Sequence, residues 1–267
     1  MNFEFFKFFK KPVNEKVDKE KEKVPEQEMT LYVPDVTEKL LGTKEKESSR
    51  KLDGGINISV IVKLKDDGQG IFKPKSGEAN VRGVVREGTY FKRERAAYLV
   101  DKFLDLGLVP PTVIRKIDGE IGSLQEFIPD AKTPGELDHK EWDQFPKRHK
   151  EELMKLWLFD MIIWNSDRHG GNLLVKGEKI YAIDNGLAFG NDWLHAYQDF
   201  DDEPIPESIK EKFRKFLSWD NGLEILSDLL KELLPPQEVE TCIARIRLLG
   251  KVIEEEGKIP AEIKFGV

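Results

Sequence analysis

The stretch HKEELMKLWLFDMIIW, residues 149–164, becomes apolar on nearly every side after its first turn. A helix of that kind has no polar face to give to water, so other elements must enclose it. That requirement predicts a helical core around this segment, and 267 residues are enough to build one as a large domain or as two lobes. The apolar run stops abruptly at NSDRHGGNLLV, residues 165–175. Six polar or glycine residues, Asp167 to Asn172, stand there between two hydrophobic segments. Such a loop is poor core material. An Asp, an Arg, a His and an Asn set around Gly170 and Gly171 point to chemistry.

The flanking sequence divides into two unlike halves. INISVIVKL, 56–64, alternates and is rich in β-branched residues, which predicts a strand. DDGQG, 66–70, reads as a hairpin turn, and IFKPK, 71–75, as the returning strand, which Pro74 should end or confine to a sheet edge. Residues 90–108 carry apolar residues at helical spacing, with Gly107 near the C-terminus. PPTVIRKI and EIGSLQEFI predict two more strands around the turn Asp118-Gly119. Ahead of these, residues 29–46 suggest a short extended piece and a brief helix. After the apolar helix, NLLV and IYAI read as short strands joined around Gly177. The rest is helical over 209–219, 222–234 and 236–255, broken at Pro235-Pro236. No internal repeat is visible. The expected organisation is α+β: a charged tail over 1–28, a β-rich lobe over 29–128, and an α-rich lobe over 129–267.

Composition narrows the function classes. A net charge of −7 does not suit a surface built to neutralise nucleic-acid phosphates. One cysteine, Cys242, cannot form a disulfide within the chain, which suits a cytoplasmic site; its helical spacing predicts a core position. No apolar run approaches the roughly 18–20 residues of a membrane-spanning helix. Residues 10–28 alternate Lys and Glu and lack an apolar face, so a solvated linker is expected. Phe3, Phe5, Phe6, Phe8 and Phe9 precede it, interrupted by Glu4 and Lys7. That start does not read as a signal-peptide apolar region, and contact with a membrane surface or another protein is the alternative to a disordered end.

Several polar residues stand against apolar strands. Lys73 lies inside IFKPK, and Asp184 follows YAI and precedes Asn-Gly. Taken alone, the first is an ordinary strand lysine and the second an ordinary turn. Together with the loop they form a pattern: an Asp, five residues to an Asn, then twelve to another Asp beyond a β-hairpin. Phosphoryl transfer from ATP explains such a set. Mg²⁺ (or Mn²⁺) needs hard oxygen ligands, which Asn172 and Asp184 supply. A carboxylate must face the incoming hydroxyl, a place for Asp167. A cation must meet the phosphates, a place for Lys73, and a helix carboxylate must orient that lysine, a place for Glu94.

The blocks GIFKPKSGE, RERAAYLVDKFLDLGLVPPT, GSLQEFIP, NSDRHGGNLLV and YAIDNGLAFG together resemble the phosphatidylinositol 3-/4-kinase-like branch of the protein-kinase-like fold, over roughly residues 52–190. Type II phosphatidylinositol 4-kinases and uncharacterised bacterial kinase-like proteins look most similar. The resemblance implies a bilobal kinase fold with ATP between a β-rich and an α-helical lobe. It implies that Lys73 contacts phosphate and pairs with Glu94, with Glu87 as a rival. Gln125, Glu126, Phe127 and Ile128 then correspond to the hinge strand that meets adenine through backbone groups. Asp167 matches the catalytic-loop aspartate, and Asn172 and Asp184 match the metal ligands. His169 falls where it could assist the base or fix the loop, and Arg168 where it could brace the loop or pair with a carboxylate. No GxGxxG precedes Lys73; KLDGGINIS, with Gly54, Gly55, Asn57 and Ser59, is the nearest phosphate cradle. The metal motif reads Asp-Asn-Gly, as suits the phosphoinositide branch.

The expected activity is kinase transfer to a hydroxyl of a protein or small molecule. The alternatives are a phosphatidylinositol kinase, a silent nucleotide-binding pseudokinase, or a nucleotidyl transferase of the same fold. From Ile180 to Ile209 there is no Lys or Arg, while Asp184, Asp192, Asp199, Asp201, Asp202, Glu203 and Glu207 fall there. An acidic rim favours a basic peptide or cationic metabolite over an anionic lipid.

Overall fold

A computed structural model describes residues 32–52, 56–79, 85–190, 200 and 203–258. The charged tail, Gly54, Gly55 and most of the acidic run after Gly190 lie outside the described residues.

Helix α1 (Val36–Thr43) opens the chain, capped by Asp35, whose side chain takes the Glu38 amide at 2.8 Å. Five strands follow in one antiparallel sheet: β1 (Lys46–Lys51), β2 (Val60–Leu64), β3 (Gln69–Pro74), β4 (Thr112–Ile117) and β5 (Glu120–Glu126), in the order β1-β2-β3-β5-β4. The turn between β2 and β3 uses two left-handed aspartates, Asp66 and Asp67. β3 ends at Pro74 as expected but lies inside the sheet. Its partner opposite Pro74 is Gly122, where a Cβ would stand 2.2 Å from the Lys73 carbonyl, so only glycine lets the two strands pair there.

Helix α2 (Tyr90–Leu104) joins β3 to β4 and packs against β4 and β5, and also against the helices that follow. It stops four residues earlier than its apolar spacing predicts. Asp105 turns left-handed there, and Asp101 takes the amides of Leu108 and Val109. After β5 come α3 (His139–Arg148), α4 (Lys150–Ile163), the hairpin β6 (Leu173–Lys176) and β7 (Lys179–Ala182), and α5 (Glu207–Leu217), α6 (Gly222–Lys231) and α7 (Pro236–Glu256). The predicted enclosure of α4 is complete: Met154 through Ile163 are all buried, among α2, α3, α7 and β7. Cys242 is fully buried in this same core, and burial pushes its thiol up to about 12. A smaller core under the sheet joins Leu41 to Val62, Leu64, Phe72, Val113, Ile117 and Leu124.

One strand boundary also needs correction, and two elements were not expected. Strand β2 begins at Val60, because Ile58 donates to the Gly77 carbonyl (3.0 Å) and Ser59 accepts from Leu52 (2.8 Å), which turns residues 56–59 away from the strand. β1 and α3 are additional elements. β1 is a polar, exposed edge strand without alternation.

Candidate active site: a charged cleft between sheet and helices

The lysine of β3, the glutamate of α2 and the loops after α4 and β7 converge on one cavity of about 410 Å³. It is lined by Ser59, Lys73, Glu94, Asp167, His169, Asn172 and Asp184, among others. The Lys73 ammonium bonds to Glu94, which is 2% exposed, and lies 3.1 Å from Asp184 Oδ1. Burial would lower the lysine, but Asp184 and Glu94 more than offset this and hold it firmly protonated. In return Lys73 holds the Asp184 carboxyl below the usual range, against the opposing effect of burial. The Asp184 side chain keeps 48% of its surface exposed.

Asp184 has a left-handed backbone, φ 56°, a conformation most open to Asp, Asn and Gly. The residue after it locks that turn. Asn185 is fully buried; its amide donates to Glu94 Oε2 at 3.1 Å, its Oδ1 accepts from Arg168 at 2.6 Å and Asn165 at 3.3 Å, and its Nδ2 donates to the Ala182 carbonyl. Arg168 does both things expected of it. It forks onto buried Asp160 of α4, with Nε to Oδ2 at 2.9 Å and Nη2 to Oδ1 at 2.9 Å. It also donates to the carbonyls of Asn172 (3.0 Å) and Ile183 (2.8 Å). Burial raises the Asp160 carboxyl and Arg168 opposes this. One guanidinium thus ties α4, the loop and the strand leading to Asp184.

Within the loop, the Asp167 amide donates to Asn165 Oδ1 at 3.0 Å, and Asn172 Nδ2 donates to the Asp167 carbonyl at 2.9 Å. That bond uses the nitrogen end of the Asn172 side-chain amide and not its oxygen. His169 Nδ1 accepts the Gly171 amide at 3.0 Å, so the loop-fixing role is present in the geometry. A Cβ on Gly171 would come within 2.9 Å of the His169 ring, which accounts for the second glycine.

The expected hinge residues stand apart from this cavity. Gln125 is buried and donates to Thr112 Oγ1 at 2.9 Å. The amides of Glu126 and Phe127 donate to the carbonyls of Pro111 (2.8 Å) and Gln69 (3.1 Å). Those two donors are therefore already used inside the sheet. Asn57 lines the cavity, but its Oδ1 takes the Ala79 amide at 2.8 Å. Glu87 does not line the cavity, whereas Glu94 does. Sequence reading missed Glu78 and Asn185. Glu78 lines the cleft and accepts the Phe91 amide at 2.9 Å, so it starts α2; its Oε2 is buried with no hydrogen-bond partner among the described residues. The signal for Asn185 was the Asn-Gly pair, which reads equally well as an ordinary turn.

A five-stranded sheet over a helical lobe, with this cleft between them, defines a kinase-like fold. Solved structures agree. The Golgi casein kinase superposes with a TM-score of 0.54 at 17% identity, over 84% of this chain and 78% of that one. A structure of the same kinase with Mn/ADP bound gives 0.53 at 18% identity, over 86% and 76%. Hydra Fam20 with sugar gives 0.53 at 15%, over 81% and 87%. The phosphatidylinositol 3- and 4-kinase family model matches residues 82–218, just over half of the chain, and this protein belongs to that family. The match includes Glu94, Asp167, Asn172 and Asp184, and begins after Lys73. Phosphatidylinositol 4-kinase gamma 5 of Arabidopsis thaliana is 30% identical over 176 residues, which is 54% of this chain and 24% of that protein. Protein Rv2133c of Mycobacterium tuberculosis is 31% identical over 151 residues, 44% of this chain and 52% of that protein. The chain therefore spans about a quarter of the plant relative and about half of the mycobacterial one.

Proposed function

We propose that this protein is an ATP- and Mg²⁺-dependent phosphotransferase that moves the γ-phosphate to a hydroxyl of a protein or small molecule. The observation that carries the proposal is Lys73, bound to buried Glu94 and 3.1 Å from Asp184, in one cavity with Asp167 and Asn172. The donor set fits a hard divalent cation. Asp184 offers an ionised, half-exposed carboxylate and Asn172 an amide oxygen. Among the described residues no cluster of three or more His, Cys, Asp or Glu could hold a metal without help. Mg²⁺ accepts such a sparse set because phosphate oxygens and water complete its shell, and Mn²⁺ is the alternative. When bound, the ion would draw charge from the phosphate oxygens. Lys73 would meet the phosphates, Glu94 would hold Lys73 in place, and Asp167 would accept the hydroxyl proton. His169, whose Nδ1 already accepts from Gly171, would fix the loop. Adenine would reach the segment 125–128 through backbone groups other than the Glu126 and Phe127 amides.

ATP labelled at the γ- or the α-phosphate tests this reading. Transfer of the γ label supports it, transfer of the α label means nucleotidyl transfer, and binding with neither means a pseudokinase. Lys73, Asp167 and Asp184 are all present, which argues against the last.

A phosphatidylinositol acceptor is the second reading, favoured by the family and by the plant relatives named as lipid kinases. Against it stands the absence of Lys and Arg from Ile180 to Ile209. The described acids of that run weigh less than the sequence suggests: Glu203 pairs with Lys150 at 2.9 Å and Glu207 with Arg214. Asp192, Asp199, Asp201 and Asp202 lie outside the described residues. Phosphate transfer to phosphatidylinositol vesicles, compared with transfer to basic proteins at low and moderate salt, decides between them. Efficient labelling of lipid alone would sink the protein acceptor and leave the kinase standing. Among the described residues no helix is long and apolar enough to cross a membrane. A cytoplasmic site is part of the same proposal.

A further inference from the structure

Helix α7 lies beyond residues 82–218, the part matched by the kinase family. Its buried stripe, Val239, Cys242, Ile246, Leu249 and Ile253, explains why it packs. It does not explain two charged residues beside that stripe. Glu238 and Arg245 are seven residues apart, two helical turns, so they project from one side about 10 Å from each other.

Each touches a residue that adjoins a cleft element in the chain. Glu238 accepts from Arg93 Nη2 at 2.8 Å. Arg93 is 1% exposed and precedes Glu94, the partner of Lys73. Its other contacts are the Ala188 carbonyl at 2.6 Å and Thr89 Oγ1 at 3.3 Å. Ala188 lies two residues beyond the Asp-Asn-Gly turn. Arg245 stacks on the ring of Trp164, 4.3 Å from its centroid, and donates to the Ile162 carbonyl at 3.3 Å. Trp164 is the left-handed cap of α4 and immediately precedes the loop 165–172. Glu238 is the only acidic contact of Arg93 among the described residues, and its second oxygen is buried without a hydrogen-bond partner. A buried guanidinium held by two neutral acceptors depends heavily on that single charge.

We infer that α7 is a positioning strut: the Arg93–Glu238 pair holds α2 where Glu94 meets Lys73, and the Arg245–Trp164 contact sets where the loop 165–172 begins. Glu238, Arg93 and Arg245 are positioning residues and touch no reacting atom. In this arrangement the approach of α2 to the cleft is set from the far end of the chain. The kinetic part of the inference rests on the phosphotransferase reading; the structural part does not.

The experiment compares Glu238→Gln with the wild-type full chain by hydrogen–deuterium exchange and by ATP kinetics. Expected is faster exchange in α2 and in 184–190, with α5 and α6 unchanged. With transfer to a basic protein as readout, kcat should fall about ten- to a hundredfold while KM for ATP stays within about twofold, the signature of misplaced groups in an intact nucleotide site. Arg245→Leu should speed exchange in 165–172 and leave α2 as it was. If Glu238→Gln does not fold, Glu238→Asp, which keeps the charge and shortens its reach, takes its place in the same comparison. Unchanged exchange in α2, or an equal rise across all helices of the lobe, would overturn the strut. If the wild type transfers no phosphate to either basic protein or phosphatidylinositol, the kinase reading fails and the exchange data alone decide the inference.

Discussion

Helix α2 carries two glutamate–lysine clusters on different sides, and they have opposite characters. Toward the cleft, Glu94 holds Lys73, and Lys73 also meets Asp184, half of whose side chain is exposed. Toward α1, Glu38 is just as buried, at 3% exposure, and takes Tyr32, Arg95 and Lys102. Asp35 closes that second cluster by accepting from Tyr98 (3.1 Å) and Lys102 (3.2 Å), and Arg95 also reaches the Thr112 carbonyl. The residue types match and so does the burial. The difference is what remains unused. The outer cluster spends its donors and acceptors on itself and fastens α1 to α2. The cleft cluster leaves a carboxylate and an amide oxygen turned to a cavity. Spare coordination, more than charge or burial, separates a binding site from a fastener.

That contrast can be broken by substitution. The largest effect is expected from Asp184→Asn, which keeps size and polarity and removes the charged oxygen. Phosphate transfer should fall on the order of a thousandfold or more, with little change in melting temperature; near-normal transfer would remove Asp184 from the metal site. Lys73→Ala should lower kcat by about a hundredfold. Lys75→Ala is its control. Strand alternation would put Lys75 on the same face, but it begins a 3-10 turn after Pro74 and is exposed, so its loss should be silent. Equal damage from both would leave the choice of Lys73 unsupported.

The outer cluster should respond in the other observable. Glu38→Gln leaves Arg95 and Lys102 short of a buried charge and should cost about 3 kcal/mol, or roughly 6–12 °C in melting temperature for a domain of this size. Turnover per folded molecule should stay normal. A drop in kcat without loss of stability would mean that this cluster serves the reaction.

The smallest effect concerns pH. For both Glu38 and Asp35 burial would raise the carboxyl, but hydrogen bonds from Lys102, Tyr32 and Arg95 to Glu38, and from the Glu38 amide, Lys102 and Tyr98 to Asp35, hold each below its ordinary value. An acid depressed in the folded state adds stability above its unfolded pKa and loses it as pH falls through the folded one. Melting temperature should therefore decline as pH drops below about 4.5, and Glu38→Gln should decline less steeply. Parallel slopes in the two proteins would show that other carboxylates govern acid unfolding.

Much of this was legible in the chain. The spacing from Asp167 to Asn172 and Asp184 located the loop that the structure places on the cavity, and the apolarity of Leu156 to Trp164, interrupted only by Asp160, located the helix that supports it. What escaped had physical reasons. β1 is KESSRK, polar throughout, because an edge strand exposed on both faces needs no apolar residue. α3 contains Pro146 and buries only Phe145, so its apolar signal is faint. Its readable mark was the Asp138–Glu141 capping box, a local signal independent of burial. Nothing local in the sequence marks Arg93 as buried, because its partner, Glu238, is 145 residues away. Contacts of that range leave no trace in local periodicity.

The sheet bonding around β5 has a pharmacological side. Many compounds that compete with a nucleotide do so by accepting hydrogen bonds from backbone amides of the strand beside the base. At Glu126 and Phe127 those amides already donate to Pro111 and Gln69. A compound relying on either donor would have to displace a sheet hydrogen bond to gain one of its own, an exchange with little net return. Under the proposed function, inhibitor series built on that contact should discriminate against this protein. Selective chemistry for it would start from the charged end of the cleft, where Asp184 and Asn172 still have oxygens to offer.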